Sequence, residues 1–459
     1  MSPVDRSRLP VPVADRPFHF PRIARRALAN GLELRAVTHR SVPVAALVLL
    51  IPGGSSVDPA DAHGLVSMTA GLIDEGSRGQ SAIEIANRVA RIGGELDIDA
   101  GVDAVVVGLT TLDRFLGAGL ALLHEIVTEP DLANDDFNRI RNLRLERLRQ
   151  MKDHAGAMAD RAFARVLYGS HPYGHLSLGT EAALNAMTVD ATRALHAAVF
   201  TPAGATLIVV GDRPEDELLD EAGSMFGAWR AATTMLPIDR DAALTAPPAE
   251  PEVRLAVVPR PGAAQSELRI GHACAPRSTP DYHVLLLLNT ILGGDFVSRL
   301  NLNLREQKGY TYGVRTGFNL RRGIGPFVMQ TSVGTDVTSA ALQEAWREIR
   351  DIAGTRPVTD QEVAQAFASV SKGYPRGFET AGQVARSVAQ LALHGLPDSY
   401  FEQFVPRLSQ VTAAEVTAAA RRYLEQEKMT TVIVGDLDKI AGSLPALGFG
   451  PHRVLTIDL

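Results

Sequence analysis

Few side chains in this sequence could bind a metal or move a proton, and they are scattered. His171 and His175 lie four residues apart, a spacing that on a helix puts two imidazoles on one face. Here Pro172, Tyr173 and Gly174 intervene, so the segment reads as a packed turn in a loop rather than a metal-binding helix. His63 reads as a loop residue, and Asp74 and Glu75 as solvated or capping acids. A zinc site needs at least three N, O or S donors converging on one point, and no such set can be assembled from these residues. Cys274 is the only cysteine, which excludes an internal disulfide framework and any cysteine-based zinc cluster. It reads as a buried thiol. No metal ligand is therefore assigned to this chain.

One stretch is informative for what it lacks. Residues 64–77, GLVSMTAGLIDEGS, follow a strand-like run, VAALVLLI (44–51), and a loop rich in Gly, Asp and Pro. Its frame of apolar pairs between Gly64-Leu65 and Gly76-Ser77 resembles the zinc-binding helix of pitrilysin/insulinase-type metallopeptidases. Other segments carry the same resemblance in order: Asn30-Gly31-Leu32, Ile92-Gly93-Gly94, His171-Pro172-Tyr173-Gly174, Gly179-Thr180-Glu181 and Val411-Thr412 before Val434-Gly435-Asp436. Active members of that family carry H-x-x-E-H, two histidine ligands with a glutamate base between them. Aligned on this frame, the histidine positions are Ser67 and Gly71 and the base is Ala70. The family's third ligand, a glutamate seventy-odd residues farther on, falls on Arg147, whose guanidinium has no lone pair to offer a metal. Glu146 beside it is rotated about 100° away around a helix. The resemblance thus implies the scaffold of a zinc peptidase with its ligands and base removed.

The second half keeps what the first has lost. GGDFVSRLNLNLREQKGYTYGVRTGF (293–318) resembles the family segment in which an arginine, followed seven residues later by a tyrosine, binds substrate across the chamber from the zinc. Arg305 and Tyr312 occupy those positions, and Tyr310 is a rival for the tyrosine role. A guanidinium and a phenol are donors able to hold a peptide carbonyl and the oxyanion of a tetrahedral intermediate. Asp97 stands where active relatives often have a substrate-binding asparagine; it keeps an acceptor but loses the amide donor. Gly293-Gly294 reads as a helix-start turn. Strand edges beside such sites can pair with an extended peptide.

These residues need a framework. Residues 1–26 read as an extended Pro/Arg-rich arm, and 32–37 and 44–51 as strands. The opening helix is expected at about 61–75 and a second at about 81–92. A strand pair follows over 95–112, then helices at about 113–127 and 134–152. Residues 163–184 read as loop leading into a helix, 187–200 as helix and 205–212 as strand. Residues 235–252, with four prolines and little apolar periodicity, read as a linker. Beyond it the chain repeats itself: MTVDATRALHAAVFTPAGATLIVVGD (187–212) lies beside VTAAEVTAAARRYLEQEKMTTVIVGD (411–436) without a gap. Both Thr188 to Thr412 and Gly211 to Gly435 are separated by 224 residues. The expected fold is α+β: two homologous domains, 27–234 and 253–459, each a mostly antiparallel sheet flanked by helices.

At 459 residues the chain exceeds one ordinary core. With 46% hydrophobic and 21% charged residues it is globular. A net charge of −6 without long charge blocks points to neither nucleic acid nor an anionic membrane as partner. Prolines and charges near the N-terminus, in place of a signal peptide's apolar core, lead to a cytoplasmic expectation. The family resemblance implies a heterodimer in which a homologous partner supplies zinc, water and the glutamate base. This chain would then supply Arg305, Tyr312 and half of a chamber for a peptide substrate, and would have no peptidase activity alone. The alternative is a structural or peptide-binding protein without turnover, like the core subunits of the respiratory cytochrome reductase.

Overall fold

Residues 18–230, 241, 244 and 247–456 are described in a computed structural model of the chain. Apolar, β-branched runs build two six-stranded sheets. The first contains β1 (Ala24–Ala27), β2 (Glu33–Thr38), β3 (Val44–Pro52), β6 (Glu95–Ala100), β7 (Ala104–Leu112) and β8 (Thr206–Gly211), in the order β1-β2-β8-β3-β7-β6. A two-stranded ribbon, β4 (Gly76–Ser77) and β5 (Gln80–Ser81), lies outside it. The second contains β9 (Leu255–Pro259), β10 (Gln265–Ala275), β11 (Val314–Phe318), β12 (Gly325–Gly334), β13 (Thr430–Gly435) and β14 (Arg453–Val454), in the order β11-β12-β10-β13-β9-β14. Read from the opposite end, the second order repeats the first, with β2–β8 and β9–β13 the matching parallel pairs. Only the outermost strands differ: β1 runs antiparallel to β2, whereas β14 runs parallel to β9. The two-domain α+β expectation holds.

The internal repeat holds to the residue. Thr188 caps the helix Val189–Val199 ahead of β8, and Thr412 caps the helix Ala413–Tyr423 ahead of β13. Each threonine hydroxyl accepts a hydrogen bond from the N–H three residues on, at 3.2 and 3.3 Å, a cap that contributes about 1 kcal/mol. Both strands are buried along their whole length, as expected of central strands covered on both faces.

The helices explain that double cover. The helix Ala155–Tyr168 belongs to the first half in sequence but packs on β10 and β13 of the second sheet. Ala159, Ala162 and Phe163 there join Ala256, Val258, Val432 and Val434 in one buried cluster. In return, the helix Ala381–His394 packs on β3 and β8 of the first sheet. It places Val384, Val388 and Leu391 in a common core with Val48, Leu50, Ile208 and Val210. Each fully buried Val or Leu contributes roughly 1.5–3 kcal/mol, so these two helices bind the halves firmly together.

A polar joint fixes their register. The Tyr173 hydroxyl donates to Asp103 Oδ1 at 2.5 Å and accepts from the Gly323 N–H at 2.9 Å, while the Arg322 N–H donates to Asp103 Oδ2 at 2.9 Å. Burial and the neighbouring carboxylate push the Tyr173 phenol up, keeping it protonated as a donor. The His-Pro-Tyr-Gly turn is thus a tie between the halves. Asp103→Ala would leave the Tyr173 hydroxyl without its acceptor and the Arg322 N–H without its partner at this joint. The expected loss is roughly 2–4 kcal/mol, read from urea unfolding; a loss under about 0.5 kcal/mol would show the joint to be dispensable.

Several sequence expectations change. The opening helix covers only Leu65–Ala70, not 61–75. Residues 163–168 finish a helix rather than a loop, and a short helix follows at Glu181–Ala186. Part of the presumed N-terminal arm, Ala24–Ala27, is β1; residues 1–17 lie outside the described residues. Much of the expected linker likewise lies outside them, and residues 247–252 carry neither helix nor strand. No described helix is long and apolar enough to cross a membrane.

Two histidines in the second half make the fold acid-sensitive. Burial, reinforced by Arg407 and Arg277, pushes His283 down to about 4; burial and Arg277 do the same to His394. His283 Nε2 and His394 Nδ1 are buried without hydrogen-bond partners among the described residues. An unfolded histidine titrates near 6.5, so below that pH the unfolded chain binds protons that the folded chain refuses. Stability is therefore intact above about pH 6.5 and lost as pH falls towards 4. The melting temperature should drop across that window, and the double variant His283→Gln/His394→Gln should flatten the drop; an unchanged slope would exclude these groups.

Candidate functional site

Gly64 starts the first helix in the left-handed region, φ 92°, where a side chain would be strained. The buried carboxylate of Asp58 holds that start: Oδ2 accepts from the Gly64 N–H and Oδ1 from the Val66 N–H, both at 2.7 Å. His175 Nε2 lies 3.1 Å from Asp58 Oδ2, and its ring stacks on His63 at 4.0 Å between centroids. Both histidines therefore brace the helix start. His171 is buried and its Nδ1 accepts the Tyr173 N–H. Among the described residues, no group of three or more His, Cys, Asp or Glu side chains could hold a metal ion.

Ser67 and Gly71, which the family resemblance aligned with zinc ligands, both meet a third residue, Arg144. Ser67 bonds through its hydroxyl to the carbonyls of Gly64 and Ser177. Arg144, on the helix Asn134–Asp153, donates from Nη1 to Ser67 Oγ at 2.7 Å and from Nη2 to the Ser67 carbonyl at 2.6 Å. A Cβ placed on Gly71 would stand 3.1 Å from Arg144 Nη2. The guanidinium thus occupies the space a residue-71 side chain would take and is bonded to residue 67. Burial, aided by the nearby Arg147 charge, lowers the Arg144 pKa to about 10, which still leaves it cationic at neutral pH. Arg147, reached by counting along the sequence, is exposed on the same helix, and Glu146 pairs with Arg149. Ala70 is buried in the first-half core. These residues do not fit zinc: a fixed cation stands among them and the donors are gone.

The second half has an open groove of about 990 Å³ containing Arg305, Tyr310, Tyr312 and Phe296. Gly293-Gly294 closes a helix here rather than starting one: the helix Tyr282–Asn289 runs into a π-helical turn, Thr290–Gly294. A Cβ on Gly293 would lie 2.6 Å from Thr316 Cγ2, so glycine lets this turn press against β11. A second π-helical turn, Asn301–Gln307, carries Arg305. Its guanidinium carbon sits 3.8 Å from the Phe296 ring centroid and 5.5 Å from that of Tyr312. Glu306 is 3.6 Å away, too far for a hydrogen bond. Tyr312 is 94% exposed, whereas Tyr310 is half-buried against the second-half core. The structure thus brings Arg305 and Tyr312 together and gives Tyr310 a packing role.

Residues 186–370 match the family model described as "Peptidase M16 inactive domain". Over nearly its whole length the chain is 23% identical to an uncharacterized zinc protease of Streptomyces coelicolor, covering 92% of each. It is 21% identical to the "non-peptidase homolog YmxG" of Helicobacter pylori, over 89% of this chain and 96% of that one. Among solved structures, a peptidase M16 inactive domain from Pseudomonas fluorescens superposes with a TM-score of 0.83 at 27% identity. That match covers 90% of this chain and 98% of the other. Over most of its length the chain is thus similar to peptidase M16 proteins.

The family description matched over residues 186–370 is that of an inactive domain. Sequence reasoning singled out Ser67, Ala70 and Gly71 but not Arg144, one turn before Arg147; the only sequence signal for it was the run of arginines in RLERLR. Asp97 is spoken for: on β6 it lies over Gly108 and pairs with Arg386 of the exchanged helix at 3.1 Å. At the outer strand β11, the side-chain amide of Asn301 takes both the N–H and the C=O of Val314 at 2.9 Å. Among the described residues, β6 pairs on one side only, with β7. Cys274 is half-buried and its thiol is pushed up to about 12 by burial, which makes it unreactive.

Proposed function

We propose that this chain is the non-catalytic subunit of a heterodimeric zinc endopeptidase. A homologous partner bearing zinc supplies the metal, the activated water and the glutamate base. This chain supplies Arg305 and Tyr312 as substrate-binding donors and half of the chamber wall, with the outer side of β6 as a further place for an extended peptide. One contrast carries the reading: the ligand positions are filled by Arg144, while Arg305 and Tyr312 stay together at an open groove. A pure scaffold has no need to hold a guanidinium between two rings at the mouth of a groove. The Helicobacter pylori relative's description as a non-peptidase supports the absence of activity in the chain alone. The proposal places the complex in the cytoplasm, in keeping with a single cysteine that forms no disulfide.

The test is zinc content and peptide cleavage of the purified chain, alone and after mixing with the zinc-bearing relative that co-purifies with it. Cleavage only in the zinc-loaded mixture is the expected result. Zinc and cleavage in the chain alone would overturn it. No cleavage in either would leave a peptide-binding or structural role without turnover.

A further inference from the structure

The charges lining the Arg305 groove are unequal once their partners are counted. Arg269 is buried and its charge is taken up by Asp160 at 2.6 Å and Glu267 at 3.1 Å, which also occupies Glu267. Asp295 accepts from the Ser369 hydroxyl at 2.6 Å and from the Val297 N–H at 3.4 Å. Two cations, Arg305 and Arg315, then stand against the one carboxylate of Asp295 on the open side. Arg305 is held by ring stacking, which leaves guanidinium edges available for a carboxylate. Arg315, exposed on β11, has no hydrogen bond or ion pair with any described residue. Strand register fixes its direction: Arg315 pairs with Gln330, and Gln330 pairs with Arg269. Residues directly opposite one another share a face, so Arg315, Gln330 and Arg269 form one polar row across the groove floor. Phe296, Tyr310 and Tyr312 supply apolar walls around it.

We propose that this groove selects extended peptide segments carrying an acidic side chain, and that Arg315 is the residue that reads the acid. The inference rests on the reading of Arg305 and Tyr312 as substrate-binding residues and adds the substrate class. The peptide carboxylate lies over the Arg315–Gln330 row, where one guanidinium without a partner and one amide donor face it. Arg305 and Tyr312 hold the adjoining backbone.

The test uses the full chain and two dye-labelled peptides of identical apolar sequence, one with two central glutamates and one with two lysines, followed by fluorescence anisotropy at low and high salt. The glutamate peptide is expected to bind roughly ten-fold tighter at low salt, with the gap narrowing as salt rises. Arg315→Ala should bring the two affinities together, and Arg315→Glu should reverse their order. Arg315 is exposed and without partners, so both variants should fold, which a thermal melt checks. Arg305→Ala should weaken both peptides. Equal binding of the two peptides that still depends on Arg305 would overturn the acidic preference and leave the groove reading standing. A preference that survives Arg315→Ala would overturn the role of Arg315, and binding of neither peptide would overturn both readings.

Discussion

Arg305→Ala is expected to lower the peptidase activity of the reconstituted complex by on the order of 10²-fold, as removal of a single oxyanion-type donor does elsewhere. The side chain is pre-positioned, its guanidinium 3.8 Å from the Phe296 ring centroid and only loosely tied to Glu306. Little ordering is then needed when substrate arrives. Lysine would not substitute, because an ammonium cannot present a planar fork while stacked on two rings. Tyr312→Phe removes a hydroxyl from a residue that is 94% exposed and should cost about ten-fold. The losses should fall in kcat/KM with the zinc content and pairing of the complex unchanged. Full activity in both variants would remove these residues from the mechanism.

The second large effect concerns restoring the metal site. The triple variant Ser67→His/Gly71→His/Arg147→Glu re-creates the family's ligand set by sequence count, yet it should bind no zinc. A histidine at 71 begins 3.1 Å from Arg144 Nη2, and the retained guanidinium would repel a divalent ion. Arg147 is exposed, so a carboxylate there faces solvent. Ser67→His/Gly71→His/Arg144→Glu removes the blocking cation and brings an oxygen ligand to the side chain that reaches residues 67 and 71. That variant should take up about one zinc per chain, measured by metal analysis after dialysis. Zinc in the Arg147→Glu set and none in the Arg144→Glu set would reverse this assignment.

Why the sequence pointed to Arg147 is a matter of rotation. Counting residues gives a position along the helix Asn134–Asp153, but a shift of three residues exchanges one side chain for another nearly a full turn away. Which of them reaches the site depends on the empty volume at Gly71, a property of two segments more than seventy residues apart. The opening helix was overextended for a related reason. Leu72 and Ile73 are buried, so apolar periodicity continues past Gly71 even though the chain there has left the helix. Periodicity reports burial and only indirectly helix. The repeat, by contrast, was legible to the residue, because Thr188 and Thr412 are local capping signals and β8 and β13 are continuous apolar runs. The helix Ala155–Tyr168 was partly missed because its apolar face matches a sheet that the sequence supplies a hundred residues later. Asp97 looked free until Arg386 arrived from the other half.

The exchange of helices between the halves also bears on how the chain acquires its structure. Neither β3 and β8 nor β10 and β13 can finish burial until the opposite half has delivered its helix. The two copies of the repeat therefore behave as interlocked rather than as beads on a string. A ribosome that has made only the first copy has released a sheet with one face still wet. The final state forms when residues 381–394 emerge and close over it. Severing the connection between the copies in the finished protein should leave them clasped, because the interlock does not depend on the covalent link.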